Sequence, residues 1–330
     1  MADRFSNPSG NAGNWDTTAT WATSDGGSTG ASIPVDGDRA IIVAGDTVTN
    51  NGNHHVGSVQ INSTGVLNGG GGAILYLDDD GNATIFQNDG SVTGTPRLHF
   101  TNSTSRNAKF GSGTFGRISV EFTSTATLTM TSALTSSSSL GIGGNSTLDT
   151  SGSNYALTIG DASIEDGGTL TGNASAISLG SLTIADGGEY IATSGTTTIT
   201  GKNGVGYALQ NSGTFTHNSG TVQTDHADPS ALFGSGGCYN WIVNSATTIH
   251  DGNLTVYNNL TINASKLLKP DNNSRVFTVH GLTTIAGTFG LAANTGTHKL
   301  NHVDVTGTLQ IGTNQTMDLT GLRNISGTVT

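Results

Sequence analysis

Glu121, Glu165 and Glu189 are the only glutamates in the chain. Cleaving a glycosidic bond takes two carboxylates held at a set separation, so the first question is whether any acids are brought together. Glu165 lies in IEDGGTL (164–170) beside Asp166. Twenty residues on, IADGGEY (184–190) places Ala185 and Asp186 at the matching positions. If a structural period carries both phrases, Asp166 and Asp186 stand one repeat apart, at roughly 5 Å. Such a pair could hold a cation or act on a sugar; a column of solvated turn residues is the plainer reading. Lyase chemistry adds a neighbouring Arg or Lys, and residues 118–201 contain neither.

Oxygen ligands gather in YLDDDGNAT (76–84), where Asp78, Asp80 and Asn82 resemble part of a calcium loop. The sixth-position Gly and the later Glu of an EF-hand are missing, so a polar turn is expected instead. His54, His55 and His226 are metal ligands by type, but their spacing closes no zinc set. Cys238 is the single cysteine. It can form no intrachain disulfide and reads as a small buried hydrophobe. No phosphate-loop, dinucleotide or nucleophile-elbow signature stands out from the abundant glycine, so no cofactor is expected. An aromatic ring can lie against a sugar face, and Tyr190, Tyr207, Tyr239, Trp241 and Tyr257 fall in the second half of the chain. The densest group is GGCYNWIVN (236–244), which makes Tyr239 and Trp241 the candidate binding residues. Packing in a local core is the alternative for both.

These residues need a frame, and the sequence writes one. IAGTFGL (285–291), VTGTLQI (305–311) and ISGTVT (325–330) align at a spacing of twenty. Gly287, Gly307 and Gly327 match, as do Phe289, Leu309 and Val329, and Ile285, Val305 and Ile325. Looser copies occur at INSTGVL (61–67), GIGGNSTL (141–148), LQNSGTFT (209–216) and LTINASKLL (260–268). The phrase reads as the end of one short strand, a turn in which Gly supplies positive φ, and the start of the next strand. A coil of this kind cannot bury its own inward face and needs near-copies above and below. The fold class is therefore all-β, a parallel β-solenoid with coils of about 20 residues, right-handed by the general preference of parallel connections. The inward set includes Ile164, Ile184, Ile285, Val305, Ile325, Phe289, Leu309 and Val329.

Composition agrees with many short strands and tight turns. The 330 residues include 49 Gly and only 11% charged residues, and Thr, Ser and Asn are abundant. A net charge of −11 with 12 scattered Lys+Arg gives no basic stripe for nucleic acid. No apolar run is long enough to span a bilayer, and the start MADRFSNPSG does not read as a secretory signal. Residues 1–50 read as a cap or attachment segment carrying Trp15, Trp21 and Pro34, which covers an open solenoid end. Residues 51–330 read as the shaft, with an insertion near 222–245. The chain stops inside the repeat phrase, so a longer polypeptide or another subunit is expected to cover the last coil.

The stretch NWDTTATWATSDGGSTGASIPVDGDRAIIVAGDTVT (14–49) resembles the opening of phage virion proteins with a β-helical body. Two tryptophans, a Gly/Ser-rich loop, Ser-x-Pro, an Asp turn and an apolar strand carry the likeness, which covers about a tenth of the chain. The resemblance implies a tail fibre, tailspike or capsid-attached fibre, often a homotrimer, located on the virion. Its partners would be other virion proteins, copies of itself and a host-surface glycan, with no nucleic acid and no membrane insertion. A structural, non-enzymatic role is the expectation. The rivals are a polysaccharide-cleaving tailspike and a bacterial surface adhesin or filament, since secreted surface proteins show similar openings.

Overall fold

The computed structural model describes residues 2–7, 13–226, 230–232, 236–249, 254–270, 276–290, 297–312 and 316–330. The protein is a parallel β-solenoid with almost no helix, in about 13 turns of about 21 residues each. Its chain contacts divide it into two units, 1–171 and 172–330.

In the unit 1–171 each turn contributes up to three short strands. His54–Val56, Ile74–Leu77, Arg97–Phe100, Ile118–Glu121, Leu140–Gly143 and Leu157–Ile164 succeed one another in parallel register. Val56, Leu77, Phe100, Val120, Ile142 and Ile164 form one inward column, each at most 1% exposed. Alternate residues point outward, because side chains of a strand alternate between its faces. In the unit 172–330 the inward column is Val243, Ile262, Ile285 and Val305, in register turn after turn. Leu268, Phe289 and Leu309 make a second. Burial of such columns removes apolar surface from water at roughly 25 cal/mol per Å², and only a near-copy in the next turn can provide it.

The columns expected from the twenty-residue spacing are therefore real, with two exceptions. Ile325 and Val329 are 44% and 45% exposed. They pair in register with Val305 and Leu309 on one side only, so the last described turn covers its predecessor and is not itself covered.

The turn glycines correct the expected reason for their presence. Gly287, Gly307 and Gly327 are not among the residues with positive φ. A Cβ on Gly307 would stand 2.0 Å from the Gly287 carbonyl oxygen, and one on Gly327 2.2 Å from that of Gly307. The column is glycine because the backbone of the previous turn occupies the space. In the phrase DGG at 166–168 both reasons operate. Gly167 has φ +71° at the third position of a turn closed by Gly168 N–H donating to the Glu165 carbonyl, and a Cβ on Gly168 would meet the Ile142 oxygen at 2.2 Å. The same turn recurs at Ala185–Gly188, with Gly187 at φ +78°.

The coil register also begins earlier than position 51. Arg39–Ile42 pairs in parallel with Ser58–Ile61, and Thr47–Asn50 with Val66–Gly69. What precedes differs: Asp3–Ser6 adds in parallel to Arg39–Ile42, and Trp21–Ala22 then pairs antiparallel with Asp3–Ser6. An antiparallel strand on a parallel edge ends the stack and shields its unpaired backbone groups. The insertion expected at 222–245 lies partly outside the described residues. Its described parts Thr221–Thr224 and Asn240–Val243 are ordinary coil strands, with Val222 opposite Trp241.

Candidate functional site

Trp15, Trp21 and Pro34 are all buried. The Trp21 indole N–H donates to the Trp15 carbonyl at 2.8 Å, and the two rings meet edge to face with centroids 5.1 Å apart. Trp15 also stacks on His54 at 5.5 Å, and His54 Nε2 lies 3.4 Å from Asp16. These side chains therefore hold the N-terminal segment to the first coils. Burial pulls the His54 pKa below its ordinary value of 6.5, against the opposing pull of Asp16. Its neutral form is the one that packs, so its contribution to stability is full above pH 6.5 and is lost as the pH falls through its lowered pKa. The melting-temperature gap between wild type and His54→Gln, read by tryptophan fluorescence, should shrink from about pH 7.5 to about pH 5.

The acidic turn 78–80 sends its carboxylates to different partners. Asp78 Oδ2 lies 2.7 Å from His55 Nδ1, and its Oδ1 accepts from the Thr101 hydroxyl. Asp79, at φ +116°, accepts three hydrogen bonds from Arg106 at 3.0, 2.8 and 2.6 Å and one from Thr104 at 2.7 Å. Burial would raise the Asp79 pKa, but Thr104, Arg106 and the Gly81 N–H together hold it below the ordinary carboxylate value. Asp80 is buried and accepts from the Ser58 hydroxyl and from the Asn82 N–H. Of the candidate ligands, Asp78 and Asp80 thus tie successive turns together, while Asn82 donates to Asp80 within its own turn. Among the described residues no three His, Cys, Asp or Glu side chains converge as a metal site. His54 faces the core and His55 faces out, as strand alternation requires.

The structure brings together two glutamates that sequence spacing did not pair. Glu121, Gly143 and Glu165 fall in one outward column of the unit 1–171, in register with the Ile142–Ile164 pairing. A methyl placed on Gly143 would lie within 4.0 Å of both Glu side chains. Each acid has a basic neighbour: His99 Nε2 is 3.2 Å from Glu121, and Arg117 is 3.8 Å from Glu165. Arg117 sits one residue outside the stretch 118–201 that contains no Arg or Lys. His99 ends a column of rings in which Tyr76 stacks on His55 and is tilted against His99, with centroids 4.3 and 5.2 Å apart. The signal in the sequence was a spacing of 21–23 between His55, Tyr76 and His99, hidden by a search at twenty. Asp166 and Asp186 are each exposed in their turns.

The aromatic candidates separate. Trp241 is fully buried, on the inward parity of Asn240–Val243, so its ring is core and is unavailable to a sugar. Tyr190 is likewise buried and pairs its hydroxyl with Thr197 at 2.7 Å; burial, partly offset by that bond, pushes its pKa up to about 12. Tyr239 follows the inward Cys238 of the strand Gly237–Cys238, at the bend before Asn240, and is half-buried. His217 stacks on Tyr239 at 5.3 Å and approaches Tyr257 at 5.0 Å, and Tyr257 stacks on His280 at 6.3 Å. Tyr239, Tyr257, His280, Asn301 and Thr320 each follow a position in the inward column Cys238–Val256–Val279–Leu300–Leu319. Beyond His280 lies a depression of about 200 Å³, lined by residues that include Lys299, Asn301, Asp318 and Thr320. Cys238 is buried, which pushes its thiol pKa far up. It should stay inert to a thiol reagent in the native protein and react at once in denaturant, since only the thiolate attacks.

Fold and surfaces together define a β-solenoid protein with a tryptophan-anchored N-terminal segment. Comparison with known proteins adds no relative: no family model, curated protein or solved structure matches the chain.

Proposed function

We propose that the protein is a structural component of a bacteriophage virion, a fibre or capsid decoration protein whose solenoid units are stiff supports for attachment or host-surface recognition. The observation that carries this reading is the turn-by-turn backbone register. Each turn hydrogen-bonds to its neighbours, and its glycines let successive backbones approach to contact distance. Opening a turn inside the stack breaks its interfaces with the turns on both sides, because repeat stability is a sum of intrinsic and neighbour terms. Proteases are thereby left few accessible backbone sites. The outward faces are Thr-, Ser- and Asn-rich, which keeps them wet with few charges. The N-terminal segment 1–38 is the part that differs from the coils and is the attachment end in this reading. Other virion proteins and copies of the chain, as a homotrimer, are its partners. The role is mechanical and involves no catalytic step.

The test is fractionation of a lysate from producing cells. The protein should band with phage particles in a density gradient and stay with them through salt and detergent washes. Recovery in the cell-envelope fraction, with particles free of it, would favour the surface-adhesin reading instead.

A further inference from the structure

We propose that the depression beside His280 in the unit 172–330 binds one pyranose unit of a neutral saccharide. The choice of a host-surface glycan as the source of that sugar rests on the recognition role proposed above; the site itself rests on geometry. The outward column runs Tyr239, Tyr257, His280 and then changes character to Asn301 and Thr320. His217 stacks on Tyr239 and Tyr257 stacks on His280, whereas the two turns after His280 carry short side chains. Those short side chains line the space and are tied to their neighbours. The Asn301 amide donates to the His280 carbonyl at 2.8 Å, and the Thr320 hydroxyl donates to Asn301 Oδ1. What remains is the 200 Å³ depression with an imidazole at one side.

The flanking column supplies the polar groups. Thr278, Lys299 and Asp318 are in register on consecutive turns and all line the depression. Lys299 and Asp318 form no ion pair with each other, and both are exposed. An ammonium and a carboxylate side by side present donors and acceptors to a pair of vicinal hydroxyls. The C–H face of a sugar ring fits against a flat ring such as that of His280. A free anion is disfavoured by Asp318 and a free cation by Lys299, which leaves a neutral polyhydroxylated ligand. The volume is below the roughly 300–1,000 Å³ of a drug-sized pocket, so it takes one ring with the rest of the chain outside.

The experiment is saturation-transfer NMR on the full chain with the methyl glycosides of glucose, galactose, mannose and N-acetylglucosamine. Transfer to ring C–H protons of at least one glycoside is expected. Affinity should weaken about tenfold or more in His280→Ala and in Asp318→Asn, and stay unchanged in Tyr76→Ala on the other unit. Circular dichroism checks that the variants remain folded, and Lys299→Gln replaces either one that does not. No transfer from any glycoside, or transfer indifferent to these substitutions, overturns the site. Because the isolated chain is used, sugar binding by a protein absent from particles would sink the virion reading and leave the site standing. A particle protein that binds none of the four would do the reverse.

Discussion

Ile285→Asp should unfold the coils around it, and should do so more severely as the pH rises. Ile285 is fully buried between Ile262 and Val305. The substitution forfeits about 1.5–3 kcal/mol of apolar burial and places a carboxyl where no polar partner waits. Burial favours the neutral acid, so its folded pKa rises above the unfolded value of about 3.9. Above that value the unfolded chain has released the proton and the folded chain has not. Each further pH unit then removes about 1.4 kcal/mol until the folded pKa is reached. Between pH 5 and pH 7 the destabilisation should therefore grow by up to about 3 kcal/mol. Thr284→Lys, one residue away, half-buried and opposite Asp304, should stay within about 0.5 kcal/mol of wild type. Denaturant melts at the two pH values read both variants. A wild-type melt for Ile285→Asp would remove Ile285 from the core.

Gly307→Ala should cost about 3 kcal/mol, a large effect for one methyl group. The new Cβ would stand 2.0 Å from the Gly287 oxygen and 2.5 Å from that of Ala286. Both are backbone atoms fixed in the stack and cannot swing aside as a side chain would. For a unit of this size the loss corresponds to a fall in melting temperature of roughly 6–12 °C. Gly204→Ala is the control in the same unit. Nothing lies within 4 Å of its Cβ position and its φ is not positive, so the change should be neutral or stabilising by up to about 1 kcal/mol through the unfolded chain. Equal melts for the two variants would mean that the approach of the previous turn's backbone does not select glycine in this column.

That contrast shows what a single sequence carries. The period was legible because each turn must present the same apolar positions to its neighbour, so Ile285, Val305, Phe289 and Leu309 repeat and are buried. The reason for Gly307 was not legible, because positive φ and close approach select the same residue. The exposure of Ile325 and Val329 was not legible either, since a residue's own repeat does not say whether another turn covers it. For the sites, alternation within Asn240–Val243 makes Trp241 inward, whereas Tyr239, two residues before it, is outward because a bend separates it from that strand and it follows the inward Cys238. A local cluster of aromatics says nothing of that parity until the strand register is known. The columns Tyr239–Tyr257–His280 and Glu121–Gly143–Glu165 join residues 18–23 apart, a variable spacing that a fixed period of twenty passes over. The acidic run Asp78–Asp80 looked like one ligand set because adjacent residues share a sequence window. In the fold, their carboxylates serve His55 and Thr101, Arg106 and Thr104, and Ser58.

The measurement that bears most directly on the proposed role is cryo-electron microscopy of purified particles from cells that make the protein. The account predicts density on the particle built of stacked coils about 4.8 Å apart, into which the two solenoid units fit, with the segment 1–38 at the particle end. Particles without such density, and the protein found instead in filaments on the cell envelope, would contradict it.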